Sequence, residues 1–552
     1  MKVLIIGGYG TFGFGIAERL SNEAGLEIFL AGRNFKKAKK ACAKLSGTAK
    51  FIPLKLDREN IELDFKPDLI VDASGPFQTY RVVSLADYCV AHGIHYADLS
   101  DNGKETAFGK NLYSQFPTDG IFLVFGLSTC PVLSAIGLRE IESAIGPATD
   151  VTIGISPSPK ADLGRNVIAA AANYAGEKKV TVLRGGQRKR VAGLTEARPE
   201  TICAPGGLPL PRVPFAVADA ADAFVLQDSF AALKEIWTGA GTRPRWLHRC
   251  LIYLSRASAD GIFPKLSRFD GLFYRARSLF RFGVHRGGMF VRASNSAGEA
   301  SWHLVAEGDD GPRIPTLPVV ALIRKMRRGD IPEPGAYSGD ELIGLEDLMP
   351  EFDHLDIHYG LQFDGADLPV YEKIMGDAYE YFAPAIQDLH RTGAGRTFTG
   401  RSEVIRGQNP LANFIANMIG FPKSGQDVPV SVTVTPDEKG ETWVREFGIS
   451  RFKSHHSLGT SRHARLITER FGPIRIHMAI LNEEDRLRIE TQAWSFFGLP
   501  LPKFLRPSGD VYETQDAQGR FVFHVDLIAP LFGRLCKYEG WLVPDPETPK
   551  SE

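Results

Sequence analysis

The chain has 552 residues, too many for one ordinary domain, so we expect about two to four domains. Lys and Arg together number 65, as do Asp and Glu, and the formal net charge is therefore zero. A neutral chain has no global attraction for nucleic acid, so any basic partner surface must be local. Six cysteines without a CxxC pair or zinc-type Cys/His spacing argue against a disulfide framework and a metal site, and they predict a cytoplasmic protein.

An apolar strand over Lys2–Ile6 begins almost at the first residue, which predicts that no signal peptide precedes the fold. The strand leads into the glycine-rich turn Gly7-Gly8-Tyr9-Gly10-Thr11-Phe12-Gly13. The spacing Gly8-x-Gly10-x-x-Gly13 is typical of dinucleotide binding. These glycines permit a tight turn, approach of the pyrophosphate to the backbone and close packing of the next helix. We expect that helix over residues 11–24, with its first N–H groups facing the phosphates.

The end of the second strand, predicted over residues 27–31, indicates which dinucleotide is bound. An NAD enzyme usually places an acid there to accept a hydrogen bond from the ribose 2′-hydroxyl, but this strand ends Ala31-Gly32-Arg33-Asn34. Arg33 can hold a 2′-phosphate, and Lys36 and Lys37 add positive charge nearby. The sequence therefore favours NADP (NADPH) over NAD. In the alternative interpretation, Arg33 only caps a solvated loop.

Strands and helices continue to alternate, with strands predicted over residues 49–54, 69–72, 94–97 and 121–125 and a helix over 81–92. This rhythm predicts an α/β fold, a Rossmann-type doubly wound parallel sheet whose ligands lie at the carboxyl ends of the strands. The predicted cofactor-binding residues at that edge are Gly7, Gly8, Gly10, Thr11, Phe12, Gly13, Arg33, Asp57, Ser74, Gly75 and Pro76.

The uncharged stretch of residues 121–138 is close in length to a membrane span. Its glycines, its Ser128-Thr129 pair and Pro131 instead predict a buried strand, a turn and a helix that opens on the proline.

Three residues of the same edge are catalytic candidates, because hydride transfer requires a positioned nicotinamide and a group that moves a proton. Asp98 ends its strand, and strand alternation places Tyr96 on the same face. Cys130 precedes Pro131 at a helix N-terminus, where we expect a lowered thiol pKa. The alternative for Cys130 is a small buried packing residue.

Several segments resemble the saccharopine dehydrogenase/reductase-like family: GGYGTFG, the AGR strand end, LD after the third strand, DASGPF, YADLS, CPVLSAIG and residues 303–348. The resemblance covers roughly residues 1–350, in two blocks around a divergent middle. It implies an NAD(P)-dependent oxidoreductase fold, and members with known chemistry form or break a C–N bond through an imine. The usual acid of the family is not in place after YADLS, where Asp101-Asn102-Gly103 follows.

The predicted dinucleotide-binding domain spans residues 1–147 and is completed by a returning segment near 310–350. Residues 148–310 are predicted to form an inserted α+β domain for substrate binding or dimerisation, and dimerisation would make the protein a homodimer. Within it, residues 243–292 contain eleven Arg or Lys residues against two Asp, interleaved with aromatic residues, which predicts two basic amphipathic helices. Three interpretations remain open: a structural helix pair over the active site, peripheral contact with the inner face of an anionic membrane, or a site for an anionic group.

Residues 370–546 are predicted to form a mainly antiparallel β (α+β) domain, beginning with a helix over 372–390. This part resembles a domain of unknown function that is often fused behind saccharopine reductase-like modules. Trp443, Arg445 and Phe447 alternate on one strand face and, with Arg520 and Trp541, would line an apolar ligand cavity, unless the arginines only stack on aromatic rings as structure. His455 and His456 point to opposite faces of a strand, which argues against a shared metal ion.

Two hypotheses follow from the sequence. The first is an NADP-dependent oxidoreductase that transfers a hydride to or from a small or lipid-like substrate, with C–N bond chemistry as the family precedent. The second is a non-catalytic dinucleotide-binding protein whose C-terminal β domain binds an apolar ligand. Access of a substrate to the nicotinamide distinguishes the two.

Overall fold

The computed structural model describes residues 1–75, 77, 83–115, 120–161, 165–279, 283–308, 310–364, 368–391, 395–483 and 486–546. The chain divides into two compact units. The first unit contains Met1–Glu200, Val213–Ala297 and Val305–Ile357, and the second contains Thr201–Arg212, Gly298–Leu304 and His358–Glu552.

The strands up to residue 364 are β1 (Lys2–Ile6), β2 (Glu27–Gly32), β3 (Lys50–Lys55), β4 (Leu69–Asp72), β5 (His95–Asp98), β6 (Phe122–Phe125), β7 (Asp150–Ser156), β8 (Val180–Arg184), β9 (Gln187–Val191), β10 (Ala197–Ile202), β11 (Leu210–Val217), β12 (Glu235–Gly241), β13 (Gly287–Ser294), β14 (Glu299–Ala306), β15 (Gly335–Ser338) and β16 (Ile357–Asp364). The helices over the same part are α1 (Thr11–Arg19), α2 (Phe35–Cys42), α3 (Val83–His92), α4 (Gly103–Tyr113), α5 (Thr129–Ile145), α6 (Arg165–Tyr174), α7 (Asp222–Ser229), α8 (Arg245–Ala259), α9 (Asp270–Leu279), α10 (Leu317–Arg327), α11 (Gly339–Leu342) and α12 (Leu345–Phe352).

The helices of the C-terminal part are α13 (Val370–Met375), α14 (Pro384–His390) and α15 (Pro410–Ile419). Its strands are β17 (Arg396–Arg406), β18 (Gly425–Asp437), β19 (Gly440–Phe447), β20 (Ser450–Leu458), β21 (Ile467–Phe471), β22 (Ile474–Glu483), β23 (Arg486–Phe496), β24 (Leu499–Pro500), β25 (Ser508–Gln515), β26 (Phe521–Ala529) and β27 (Gly533–Pro544).

The N-terminal sheet is parallel, with the strand order β15-β6-β5-β4-β1-β2-β3 among the described residues. The chain winds outward from β1 through β2 and β3, and then from β4 through β5 and β6 on the other side. The topological switch point therefore lies between β1 and β4, where ligands bind in doubly wound sheets. This order confirms the predicted doubly wound α/β fold. Residues 335–338 return to the sheet and pair in parallel with β6.

Element boundaries near the N-terminus differ in detail from the prediction. Helix α1 ends at Arg19 rather than near residue 24, because a turn with Gly25 at φ +77° replaces the last predicted helical turn. Helix α3 begins at Val83 among the described residues, and its expected start at Arg81 lies outside them. Residues 121–138 form β6 and the first part of α5. No described helix is long and apolar enough to cross a membrane.

The first unit also contains a mixed sheet. Strand β12 pairs in parallel with β7, while β13 is antiparallel to β7 and β11 is antiparallel to β12. The β8–β9 hairpin joins β12 at Leu183 and Ile236. Two strands predicted from residues 151–155 and 180–183 thus belong to this sheet, as β7 and β8. Ile252 of α8 and Leu266 pack in a small buried cluster with Ala175, Leu194 and Ala216.

The second unit is built around an antiparallel sheet that closes on itself. Ten strands, counted within the described residues, follow the order β22-β21-β20-β19-β18-β17-β27-β26-β25-β23, and β23 pairs back to β22. Strand β24 adds to β23. Large apolar residues fill the inside, including Phe398, Trp443, Phe447, Phe452 and Phe521. The β22–β23 pairing joins the two ends of the sheet, so backbone N–H and C=O groups of these end strands are hydrogen-bonded within the chain.

Residues 372–390, which were predicted to be helical, form three short helices rather than one. The segment forms α13, a 3₁₀ helix over Gly376–Tyr381, and α14. Pro384 occupies the first turn of α14, where its missing N–H is not required, but a proline cannot continue a helix that arrives from the N-terminal side. The strands predicted over residues 428–435, 441–447, 474–481, 486–492 and 521–528 are parts of β18, β19, β22, β23 and β26.

Candidate functional site

The glycine-rich turn fits between its neighbouring strands only without side chains. Gly7 has φ +78°, and a Cβ at this position would lie 2.6 Å from the Ala73 carbonyl oxygen. A Cβ on Gly13 would lie 2.5 Å from the Gly7 carbonyl oxygen. The N–H groups of Gly7 and Gly8 both donate to the Ala31 carbonyl, each at 3.0 Å. The turn is therefore held against both β4 and β2, with its backbone close to the switch point.

The first turn of α1 has no side chain over its N-terminus. Gly10 is the N-cap residue and makes no side-chain capping bond. The first N–H groups of a helix have no intrahelical acceptor, so those of Thr11, Phe12 and Gly13 can bind an anion. Thr11 is exposed and Phe12 half-buried. A glycine cradle that a Cβ would fill, next to an uncapped helix N-terminus, fits a dinucleotide pyrophosphate.

Arg33 lies directly after β2 and is exposed. Asn34 caps the next helix, because its Oδ1 accepts from the Lys37 N–H at 3.1 Å. The backbone N–H of Asn34 donates to the Tyr9 hydroxyl at 3.3 Å, which ties this strand end to the glycine turn. Asn34 thus caps α2, and the role of the exposed Arg33 side chain stays a prediction. Asp57 is also exposed, in a turn where its carboxylate accepts from the Glu59 N–H.

A buried ion pair that the sequence analysis did not single out holds the loops after β3 and β4. Asp72 is fully buried, and its Oδ2 accepts from Arg58 Nε at 2.8 Å. Its Oδ1 accepts from the backbone N–H of Ser74 at 3.0 Å and from the Ser74 hydroxyl at 2.5 Å. Ser74 and Gly75 are half-buried at the switch point. Pro76, the third residue predicted there, lies outside the described residues.

Asp98 and Tyr96 lie on one face of β5, as strand alternation predicts, and both are fully buried. The Tyr96 hydroxyl donates to Asp98 Oδ2 at 2.9 Å. Asp98 Oδ1 accepts from the backbone N–H groups of Ser100 at 2.9 Å and Gly126 at 2.8 Å. Burial raises the pKa of Asp98 to about 7, although these hydrogen bonds act to lower it. The carboxyl thus joins the loops after β5 and β6, and a catalytic role for it stays a prediction.

The expected lowering of the Cys130 thiol pKa is wrong. Cys130 is buried with extended backbone (φ −107°), and the regular helix begins at Pro131. Burial raises the pKa of its thiol well above the ordinary value, and the nearby Asp222 carboxyl acts in the same direction. The Ser134 hydroxyl donates to the sulfur at 3.4 Å. The desolvation of the thiolate outweighs the helix N-terminus, so the thiol is held protonated.

A group of acids beside this edge was missed by the sequence analysis. A Cβ on Gly103 would lie 2.6 Å from Ala221 Cα, so the start of α4 packs directly on the segment before α7. That segment carries Asp219, which is half-buried. Burial and the neighbouring Asp101 raise the pKa of Asp219 to about 6. Burial, together with Asp219 and Asp101, also raises the pKa of the Tyr174 hydroxyl. No short motif signals this cluster, because Asp219 is far along the chain from Asp101.

Residues 243–292 include helices α8 and α9, and this confirms the two predicted helices. Ile252 faces the buried cluster, whereas Trp246 is 57% exposed and Tyr253 66% exposed. Trp246, Arg249 and Tyr253 are spaced three and four residues apart, so they share one face of α8. This face combines aromatic and cationic side chains at the surface. Peripheral membrane contact and a homodimer stay predictions.

Residues 3–117 match the family model described as the saccharopine dehydrogenase NADP binding domain. This part of the chain is similar to that domain. Residues 382–542 match a second model, Domain of unknown function (DUF4166). The predicted resemblance at both ends of the chain is confirmed, although the first match ends before residues 303–348. The segment that matches the first model contains the glycine turn, Arg33 and the buried Asp72 and Asp98.

Solved structures that are similar to the chain include saccharopine dehydrogenase (L-Glu forming) from Saccharomyces cerevisiae, with 14% identity, a TM-score of 0.44, and coverage of 65% of this chain and 99% of that one. Another is myo-inositol dehydrogenase from Lactobacillus casei in complex with NAD(H) and myo-inositol, with 14% identity, a TM-score of 0.26, and coverage of 45% and 68%. A DUF3598 protein from Nostoc punctiforme has 8% identity, a TM-score of 0.19, and coverage of 48% and 69%. None of these TM-scores reaches 0.5. No curated protein sequence matches the chain.

Replacing Asp98 by Asn should change the pH dependence of stability. The folded protein keeps this carboxyl protonated up to about pH 7, whereas the unfolded chain ionises it near the ordinary value of 3.8. The contribution of Asp98 to the free energy of unfolding is therefore complete below the ordinary value of 3.8 and is lost as the pH rises through about 7. The loss amounts to a few kcal/mol. In Asp98→Asn the amide oxygen can still accept from Ser100 and Gly126. The variant's thermal unfolding midpoint, measured from about pH 5 to 8, should rise relative to that of the native protein.

The matched control is Asp57→Asn, because Asp57 is exposed. Its midpoint should follow the native protein at every pH. A native protein and an Asp98→Asn variant with parallel pH profiles would show that Asp98 is ionised throughout.

Proposed function

We propose that the protein is an NADP-dependent oxidoreductase that transfers a hydride to or from a small or lipid-like substrate. The observation that carries this proposal is the Gly7–Gly13 turn at the switch point, which leaves no space for a Cβ on Gly7 or Gly13 and opens onto an uncapped helix. The NADP binding domain matched over residues 3–117 supports the same conclusion.

The residues that would hold the dinucleotide follow from these positions. The backbone of Gly8, Gly10 and Gly13 would contact the pyrophosphate, with the first N–H groups of α1 directed at its oxygens. Arg33, exposed at the end of β2, would pair with the 2′-phosphate. Ser74 and Gly75 lie across the switch point, on the side expected for the nicotinamide ribose. When bound, the cofactor supplies or accepts the hydride.

Reduction of a C=O or C=N group also consumes a proton, which we assign to Asp219. A general acid is most effective when its pKa lies close to the working pH. Burial and Asp101 raise the pKa of Asp219 to about 6, and the residue is only half-buried, so a substrate can reach it. Asp98 and Tyr96 are fully buried and hydrogen-bonded to one another. We therefore propose that they position the loops that border the substrate.

The second candidate function is a protein that binds the dinucleotide without catalysis and carries an apolar ligand in its C-terminal domain. A cavity inside the closed sheet favours this candidate. The two functions differ in whether hydride leaves the bound cofactor.

Gly10→Val should weaken NADPH binding at least about tenfold. Gly10 has ordinary helical-cap dihedrals, so a valine is not excluded by the backbone conformation. A Cβ would lie 3.1 Å from the Gly7 carbonyl oxygen, a tight contact that requires a small shift of the turn, and the side chain would occupy the proposed pyrophosphate position. The measurement is a fluorescence titration with NADPH. Gly271→Val is the control, because a Cβ there meets nothing within 4 Å, and its affinity should equal the native value. Absence of NADPH binding by the native protein would refute the proposed function.

Arg33→Ala should weaken NADPH binding by about 1.5–3 kcal/mol, the cost of a lost charged hydrogen bond, and leave NADH binding nearly unchanged. Lys40→Ala is the control, since Lys40 is exposed towards the end of α2. It should affect neither cofactor. Equal losses for NADPH and NADH in Arg33→Ala would show that Arg33 does not bind the 2′-phosphate.

Deuterium at the nicotinamide C4 of NADPH should appear in a product when the protein is incubated with a small-molecule extract and the products are analysed by mass spectrometry. Asp219→Asn should slow the transfer by about 10²-fold or more and remove the decline in rate as the pH rises above about 6. Asp260→Asn, an exposed acid at the end of α8, is the control. NADPH binding without label transfer would instead support the non-catalytic candidate.

A further inference from the structure

The closed sheet of the second unit encloses a cavity of about 390 Å³. Trp443, Arg445 and Phe447 of β19 alternate inward and line it, as do Phe523 and Val525 of β26. Arg520 and Trp541, which were predicted to line the same cavity, do not. Arg520 stacks over Trp541 at 4.3 Å and pairs with Asp516. Drug-sized ligands occupy sites of about 300–1,000 Å³, so the cavity is large enough for one such molecule.

The cavity has one end plugged by two short helices. Tyr371 of α13 stacks on His390 of α14, with ring centroids 3.7 Å apart. His390 Nε2 contacts Glu513 Oε2 at 2.5 Å, and the Tyr371 hydroxyl contacts His456 Nδ1 at 3.3 Å. Trp443 stacks on His456 at 5.0 Å. The Tyr371 hydroxyl, His456 and Glu513, which line the cavity, therefore cluster with aromatic rings at this end.

The one permanent cation of this cluster is already paired with a carboxylate. Arg445 is the one arginine or lysine among the described lining residues, and its Nη1 lies 3.5 Å from Glu469 Oε1. The same oxygen lies 2.9 Å from His456 Nε2. Burial acts to raise the pKa of Glu469, but His456 and Arg445 outweigh it and lower the pKa to about 2. Together with Glu513, two carboxylates face one permanent cation. A buried anionic ligand would find no further arginine or lysine to pair with among the described lining residues. Burying an unpaired negative charge costs free energy, so binding of such a ligand is disfavoured.

The other end is closed by a helix and turns rather than by strands. Ile415 and Ile419 of α15 line the cavity there, with Pro507 before β25 and Phe532 after β26. Strand β25 runs from Ser508 at this end to Glu513 at the plugged end, roughly 17 Å at 3.4 Å per residue. The cavity is therefore elongated along the strands.

The outer face of α15 is apolar as well. Phe414 is 60% exposed and Met418 69% exposed, and the nearby turn exposes Leu531. An amphipathic helix of a globular protein normally presents polar residues on its outer face. Apolar residues on both faces of the helix at the cavity end are expected where an apolar molecule passes in and out.

We propose that the closed sheet binds one elongated, uncharged lipid, such as a long-chain alcohol or aldehyde or a polyisoprenoid, with its polar end group at the Tyr371–Arg445–His456 cluster and its chain towards α15. The apolar and aromatic lining disfavours a polar metabolite, and the two carboxylates beside the one paired arginine disfavour a fatty acid anion.

The test compares retinol with retinoic acid, which share a polyene chain and differ in the charge of the end group. Binding to the full-length protein is followed by energy transfer from tryptophan to the polyene. Retinol should bind at least tenfold more tightly than retinoic acid. Failure of retinol to bind, or equal or tighter binding of retinoic acid, overturns the proposal.

Two variants locate the site. Val525→Trp fills the cavity and should abolish retinol binding, whereas Val522→Trp, on the same strand but outside the lining, should bind retinol as the native protein does. Glu469→Gln leaves Arg445 and His456 without their carboxylate and should shift the preference towards retinoic acid at least tenfold. Native retinol affinity in Val525→Trp would place the binding elsewhere and overturn the proposal.

This inference stands apart from the proposed oxidoreductase. Val525→Trp should keep native NADPH affinity, and Gly10→Val should keep native retinol affinity. Loss of retinol binding in Gly10→Val would contradict an independent site in the closed sheet.

Discussion

Two buried aspartates, Asp72 and Asp98, face each other at the carboxyl ends of β4 and β5 and hold the loops that form the edge of the parallel sheet. Asp72 binds Arg58 from the loop after β3 and Ser74 from the loop after β4. Asp98 binds the N–H groups of Ser100 and Gly126, after β5 and β6. Four successive loops are thus fixed by two carboxyl groups. A buried carboxyl is tolerated because each of its two oxygens accepts at least one hydrogen bond.

The same arrangement explains the raised pKa of Asp98. Asp72 has the Arg58 guanidinium at 2.8 Å, whereas Asp98 receives only neutral donors and also feels the charge of Asp72. Its pKa therefore rises to about 7. Beyond this rigid edge lies Asp219, on a segment that packs against the start of α4. A fixed edge that presents a half-buried acid is the kind of preorganised site that positions a reacting group.

The C-terminal sheet solves a different physical problem. Its strands close into a ring, so that their inward residues must either fill the interior or leave a cavity. Aromatic residues crowd one end around Tyr371 and His390, while α15 covers the other. The alternation of Trp443, Arg445 and Phe447 was visible in the sequence, and all three face inward as a strand period of two requires. Arg520 follows the same kind of pattern but faces Trp541 away from the cavity, because the side of a strand that becomes the interior depends on the direction in which the sheet curves.

The sequence by itself determined the glycine turn, the first strands, the doubly wound order and the approximate start of the β-rich C-terminal part. These features depend on residues within a few positions of one another, whose backbone preferences and hydrophobic period act locally. Only the tertiary structure decided that Arg58 neutralises Asp72, that Cys130 is too desolvated to ionise, that Asp219 joins Asp101, and that Glu469 pairs with Arg445. Charge pairing and desolvation depend on which distant segments meet and exclude water, and no local pattern along the chain specifies that meeting.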